Sequence, residues 1–392
     1  MDTSAPQPTR RSHRSLIILL FLLPCAIAAS APTLNTRLRA ASLLMRIENA
    51  NDQGSLARYD TYQVAETDTT FTAPTGTIPA RLYTPLGLEH PPHLMIVHGV
   101  HHLGIHDPRI IAFARALSAG GVQVFTPEMH DLTDYKVTPA TIDMIGVAAR
   151  QFSHDSGTPV GILGISFSGS LSLIAAADPR NAPSIAFVVS LGSHDNMARV
   201  ARFFLTGETP RPDGASGYVK PHEYGALVLL YSHPEEFFPV ADLPRVRESL
   251  RYLLWEDVAS SKAIAKTLSP PSRAIMEKLY AHDRDSLKPA LLKAIDRHAA
   301  EMEAVSADHR LDSLHVPVLL LHGAADDVIP NSELLWLEKD VPASCLRGAL
   351  ITPLLSHLDV AGDPTAGDKL QLIQFMSTVL DLAGETRGAG TT

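Results

Sequence analysis

The stretch Val160 to Gly169, Val-Gly-Ile-Leu-Gly-Ile-Ser-Phe-Ser-Gly, constrains this chain more than any other. Val160 to Ile165 is apolar or glycine throughout, the composition of a short strand covered on both faces. Leu171 to Ala177 is built of good helix formers, so the backbone must pass from strand to helix within a few residues, with Ser166 at the bend. Small residues at Gly164, Ser168 and Gly169 let the chain fold back closely around Ser166. Such a turn lifts a hydroxyl to the end of a sheet and aims the N–H groups of a helix N-terminus at whatever the hydroxyl attacks. The competing reading is an ordinary strand–turn–helix connection with a capping serine. The rest of the chain has to decide between them.

A strand–helix alternation surrounds the stretch, the mark of a parallel sheet with helices on both faces. Strands are expected at Leu94 to Val97, Val122 to Phe125, Val160 to Ile165, Ile185 to Leu191, Val318 to Leu321 and Leu346 to Ile351. Helices are expected at Arg109 to Ala119 behind Asp107-Pro108, around Ala140 to Phe152, and from Asp368 to Leu382. Ahead of the alternation, Leu34, Leu38, Ala41 and Met45 make a helical stripe. Tyr62 to Glu66, Thr69 to Ala73 and Ile78 to Tyr83 read as three short antiparallel edge strands. Between residues 201 and 310 the alternation stops. Leu243, Val246, Leu250 and Leu253 form one helical stripe there. Ala274 to Ala281 and Leu287 to Val305 are further helix candidates, with Pro270-Pro271 as a break. Ala226 to Tyr231 alone looks strand-like, and a buried helix fits it equally. An all-helical insertion between two sheet strands is expected to be a lid over the sheet's top edge, the alternative being a separate packing unit.

Three arginines (Arg10, Arg11, Arg14) precede an apolar run from Leu16 to Ala29, too short to span a membrane comfortably, and Ala26-Ile27-Ala28 supplies small residues for a signal peptidase. Residues 1–28 are therefore expected to be a signal peptide, with export to a periplasm or the medium. Lipid anchoring at Cys25 is disfavoured by Pro24, and a twin-arginine signal by His13 and Arg14. Cleavage after Ala28 leaves 30 basic and 41 acidic residues, a formal charge of −11. That balance argues against nucleic acid or an anionic membrane as partner. Only Cys345 survives cleavage, so the mature chain has no internal disulfide and depends on its core.

Chemistry gathers where predicted strands end, the edge at which open α/β sheets place their sites. His98-Gly99-Val100 follows the first inner strand, and the N–H groups of Val100 and Phe167 are the candidate donors to an oxyanion. His322-Gly323-Ala324-Ala325-Asp326-Asp327 follows a later strand, and Asp326 is preferred over Asp327 as a carboxylate to orient an imidazole, on motif spacing. Ser356-His357-Leu358-Asp359 follows the last strand, where His357 is placed to move a proton near neutral pH. Asp195, in Gly192-Ser193-His194-Asp195, is the alternative acid. His101, His194 and Asp195 are candidates to line a substrate pocket. The group His98, His101, His102 and His106 has no usual metal-ligand spacing. With no phosphate loop or dinucleotide glycine pattern either, no metal and no cofactor are expected.

Taken together these motifs resemble the α/β-hydrolase superfamily: Gly164-Ile165-Ser166-Phe167-Ser168-Gly169 at the nucleophile, His98-Gly99-Val100 at the oxyanion strand, Gly323-x-x-Asp326-x-x-x-Pro330 at the acid, and a late His357. Pro79 to Pro85 resembles the lead-in of its dienelactone-hydrolase-like and prolyl-oligopeptidase-like branches. Two departures stand out. Ser168 occupies a position where glycine is usual, and the nucleophile is serine rather than the cysteine of dienelactone hydrolases proper.

The resemblance implies an α/β-hydrolase fold, a mostly parallel sheet with helices on both faces, a core over residues 29–200 and 311–392 and a mainly helical lid over 201–310. It implies a serine hydrolase that cleaves small-molecule carboxylic esters through Ser166, His357 and Asp326. A peptidase or acyltransferase uses the same groups, and a non-catalytic binding protein is the alternative of a different class.

Overall fold

A computed structural model describes residues 33–356 and 364–386. The expected signal peptide (residues 1–28) and His357 lie outside the described residues.

Helix α1 covers 33–48. A hairpin follows, β1 (Val64–Ala73) against β2 (Gly76–Pro85), paired antiparallel without interruption from Val64↔Pro85 to Ala73↔Gly76. Two long strands therefore replace the three short ones read from sequence. Thr67 and Asp68, which looked like a break, pair with Leu82 and Arg81 across the hairpin. Then come β3 (His93–Val97), α2 (Pro108–Ala119), β4 (Gln123–Pro127), the short α3 (His130–Thr133), α4 (Pro139–Ser156), β5 (Val160–Ile165), α5 (Phe167–Ala177) and β6 (Ile185–Leu191). After the long insertion the sheet resumes with β9 (Val318–Gly323), α13 (Ser332–Asp340), β10 (Leu346–Thr352) and α14 (Ala366–Glu385).

These strands form one sheet in the order β1-β2-β4-β3-β5-β6-β9-β10. From β4 to β10 all six are parallel, while β2 meets β4 antiparallel and carries the hairpin as an edge. Alternation along each inner strand explains the unbroken apolar runs. In β5, Val160 and Ile162 enter the core under α4, α5 and α13, whereas Leu163 and Ile165 enter the core under α1, α2 and α14. Local signals set the helix ends. Asp107 accepts from Arg109 N at 2.8 Å with Pro108 in the first turn, and Thr365 with Asp368 closes a capping box at the start of α14.

The insertion between β6 and β9 holds α6 (Met197–Thr206), a two-stranded ribbon of β7 (Glu208–Pro210) and β8 (Ser216–Tyr218), and then α7 (Tyr224–Ser232), α8 (Leu243–Leu254), α9 (Val258–Ala265), α10 (Pro270–Tyr280), α11 (Lys288–Arg297) and α12 (Ala299–Glu303). The strand-like run Ala226 to Tyr231 is helical and sits in the insertion's own core with Val246, Leu250, Met276 and Leu291. A short run that is apolar all round carries no period to distinguish the two states. Pro270 and Pro271 open α10 rather than break the chain before it, since a first-turn proline lacks only an N–H that has no helical partner. The insertion is tied to the sheet domain by polar bonds as well as packing. Tyr135 donates to Leu254 O at 3.1 Å, and Asp134 accepts from Tyr231 at 2.6 Å and from Arg251 at 3.0 Å.

Candidate active site

Ser166 stands at the end of β5 with φ 59° and ψ −135°, a conformation that costs a side-chain-bearing residue about 1–3 kcal/mol. Hydrogen bonds on both sides of the residue hold it there. Ser166 N donates to Leu191 O at 2.7 Å, and Ser166 O accepts from Ser193 Oγ at 2.7 Å and from Gly169 N at 3.0 Å. The turn closes because Gly164 has no side chain: a Cβ there would stand 2.5 Å from the Gly169 Cα. Ser168 is fully buried and has a structural task. Its hydroxyl accepts from Ile165 N at 2.8 Å and lies 2.8 Å from both Val97 O and Ile165 O, so it links the nucleophile turn to the end of β3.

That link brings the next segment alongside. A Cβ on Gly99 would meet the Ser166 Cβ at 3.1 Å, so the loop after β3 runs against the serine. His98 fixes the loop's backbone. Its Nδ1 faces Gly99 O at 2.8 Å and must donate, while Nε2 accepts from Met129 N at 3.0 Å. That pattern needs a neutral ring, and complete burial lowers its pKa in the same direction. Val100 and Phe167 both border the cavity over Ser166. Phe167 begins α5, whose N-terminus adds positive potential at this point.

Asp326 is buried in the loop after β9. Its Oδ1 accepts from Val328 N and Ile329 N at 2.9 Å each, and Oδ2 lies 3.4 Å from His322 Nε2, which also faces Ile329 O at 2.9 Å. The loop is wrapped around this carboxylate. Asp327 is only half-buried, and its carbonyl accepts from His222 N at 2.8 Å. A Cβ on Gly323 would run into Ser356 O, so the segment after β10 lies against the end of β9 as far as the described residues go.

Asp195 stands in different surroundings. It is fully buried, and its Oδ2 accepts from Arg199 at 2.8 Å. Glu333 accepts from Asp195 N at 2.9 Å and from Arg199 Nε at 2.5 Å, and the Arg199 guanidinium stacks 4.4 Å over Trp336. Burial outweighs the arginine and pushes the Asp195 carboxyl up to about 7. His194 faces Val305 O through Nε2 at 3.0 Å, and burial pulls its pKa down to about 4. Neither residue borders the cavity: His194 supports the Phe167 ring from behind, with centroids 5.3 Å apart. His101 does border it, with Nδ1 3.3 Å from Asp107.

The cavity measures about 570 Å³, within the range of small-molecule sites. His222 and Tyr224 of the insertion also line it. Residues of α1, α2 and α14 line it too, helices whose sequence gave no sign of a site.

No protein-family model and no curated protein sequence matches the chain. Among solved structures, the chain is similar to the acylaminoacyl peptidase of Pyrococcus horikoshii (11% identity, TM-score 0.49) over 86% of its own length. It covers only 44% of that enzyme, less than half. An esterase from Pyrobaculum calidifontis is similar at 15% identity and TM-score 0.42, with 89% of this chain and 90% of that one covered. A 2,6-dihydroxy-pseudo-oxynicotine hydrolase is similar at 14% identity and TM-score 0.43, covering 83% and 68%. The six-stranded parallel sheet, the antiparallel hairpin on its edge, the serine turn after β5 and the helical insertion after β6 make the fold of this chain the α/β-hydrolase fold.

Proposed function

We propose that the chain is an exported serine hydrolase that cleaves carboxylic esters through an acyl-enzyme. The observation that carries the reading is the backbone of Ser166: a strained turn, held by hydrogen bonds on both sides, that presents the hydroxyl to the cavity. A capping serine has no use for that strain, and the Ser166 side chain caps nothing in α5.

In this reading the Ser166 oxygen attacks the ester carbonyl while its proton passes to His357. The carbonyl electrons move onto oxygen, which the N–H groups of Val100 and Phe167 receive. Collapse breaks the carbon–alkoxy bond, and the alcohol leaves with the proton from His357. Water then attacks the acyl-enzyme by the same route in reverse, giving the carboxylic acid and restoring Ser166. Asp326 orients His357. Residues 201–310 act as the lid, with His222 and Tyr224 facing the substrate. Export rests on residues 1–28.

A fluorophosphonate probe tests the nucleophile. The wild type is expected to be labelled and Ser166→Ala spared, and equal labelling of both removes the assignment. Peptide p-nitroanilides and competing alcohol acceptors beside p-nitrophenyl esters separate a peptidase or an acyltransferase from an esterase. A folded protein that neither labels nor turns over any of them is a binding protein instead.

A further inference from the structure

The lining of the cavity over Ser166 is of two kinds. Its polar members include His98, His101, Asp107, Arg109 and His222. Its apolar members include Leu44 and Ile47 of α1, Phe113 of α2, Leu355 after β10, and Leu372 and Met376 of α14. None of these six side chains carries a hydrogen-bonding N–H or O–H. Four of them (Leu44, Ile47, Phe113 and Leu355) pack on the core beneath α1, α2 and α14 yet are only partly buried. Their helix neighbours Leu43, Ala114 and Leu117 are almost completely enclosed. The partly buried faces border the same space as the nucleophile.

We infer that the site selects esters carrying a flexible hydrocarbon chain, which lodges in the arm between α1, α2 and α14. This rests on the hydrolase reading of Ser166 and adds to it the substrate class. Leu, Ile, Phe and Met offer a chain dispersion contacts and release from water with no polar group to satisfy, and Met376 adjusts to irregular shapes. Burying one methylene contributes ~0.8 kcal/mol, about a fourfold gain in kcat/KM when it is realised in the transition state. The chain belongs to the acyl group or to the alcohol, and the two are chemically alike in the arm.

The test is kcat/KM across two series: p-nitrophenyl esters of linear acids from acetate to dodecanoate, and acetates of linear alcohols. One series should climb about fourfold per methylene over several carbons and then level where the arm is full. The climbing series identifies which part of the ester enters. Ile47→Trp should move the levelling point to shorter chains and Ile47→Ala to longer ones, so the location stays testable if either variant fails to fold. Ser166-dependent turnover with both series flat or falling overturns the inference and leaves the hydrolase reading standing. A climb that neither Ile47 variant moves overturns the location. No labelling and no turnover removes the hydrolase reading, and the inference with it.

Discussion

Asp326→Asn separates two tasks that the buried carboxylate performs. In the first, Oδ1 accepts from Val328 N and Ile329 N at 2.9 Å each and so holds the loop between Gly323 and Pro330. In the second, proposed above, its charge orients His357. An asparagine oxygen can still accept both backbone bonds. The two charge-assisted bonds, about 1.5–3 kcal/mol each, become neutral ones of about 0.5–1.5 kcal/mol. The expected loss for the pair is therefore roughly 2–3 kcal/mol, a drop of several degrees in Tm. The proton-transfer task fares far worse, because an amide favours the wrong imidazole tautomer, and kcat should fall about 10⁴-fold. Asp326→Ala is the control. It also removes the loop's acceptor, leaves two buried N–H groups unsatisfied at about 1–3 kcal/mol each, and should cost more in Tm for a similar loss of kcat. Differential scanning calorimetry gives Tm, and p-nitrophenyl ester turnover gives kcat. If Asp326→Asn keeps kcat within tenfold of wild type while its Tm falls, Asp326 is a loop brace alone. Asp195→Asn then becomes the variant to measure.

Two further predictions bear on residues at and behind the nucleophile. Ser166→Gly should abolish fluorophosphonate labelling yet raise stability by about 1–3 kcal/mol, because glycine adopts φ 59° without strain; an unchanged or lower Tm contradicts the strain argument. For His194, the folded pKa of about 4 lies below its unfolded value near 6.5, so the native state binds fewer protons between the two. Its contribution is complete above about pH 6.5 and is lost as the pH falls toward 4. The adjacent Asp195, pushed up to about 7, runs the other way, losing stability as the pH rises from about 4 to 7. The stability difference between wild type and His194→Gln should therefore shrink on acidification from pH 7 to pH 5, by up to ~1.4 kcal/mol per unit. A constant difference in chemical denaturation across that range would show that the ring titrates normally.

Much of this site is legible in the chain because its cues are local. The passage from β5 to α5 is written in ten consecutive residues, and a single Cβ at Gly164 would undo it. Unbroken apolar runs and helical patterns likewise mark the inner strands and the capped helices. The chain leaves a state open, or is misread, where a local pattern is neutral. The run Ala226 to Tyr231 is apolar on every side and took the state its packing required. The pair Thr67 and Asp68 looked like a gap and became hairpin, because strand pairing tolerates polar residues on an exposed edge.

The sequence by itself determined the strand–serine–helix turn, the alternation that builds a parallel sheet, and which carboxylates stand after strands. Tertiary structure decided what surrounds each of them. Asp195 and Asp326 have the same place at a strand end, yet one is enclosed with Arg199 and Glu333 and the other is ringed by backbone N–H groups. The cavity lining joins residues 44, 113 and 376, from three stretches that each read only as helix. Backbone conformation and capping follow from neighbours a few positions apart. Burial, charge pairing and cavity walls arise from segments hundreds of residues distant, and they exist only after the sheet has brought those segments together.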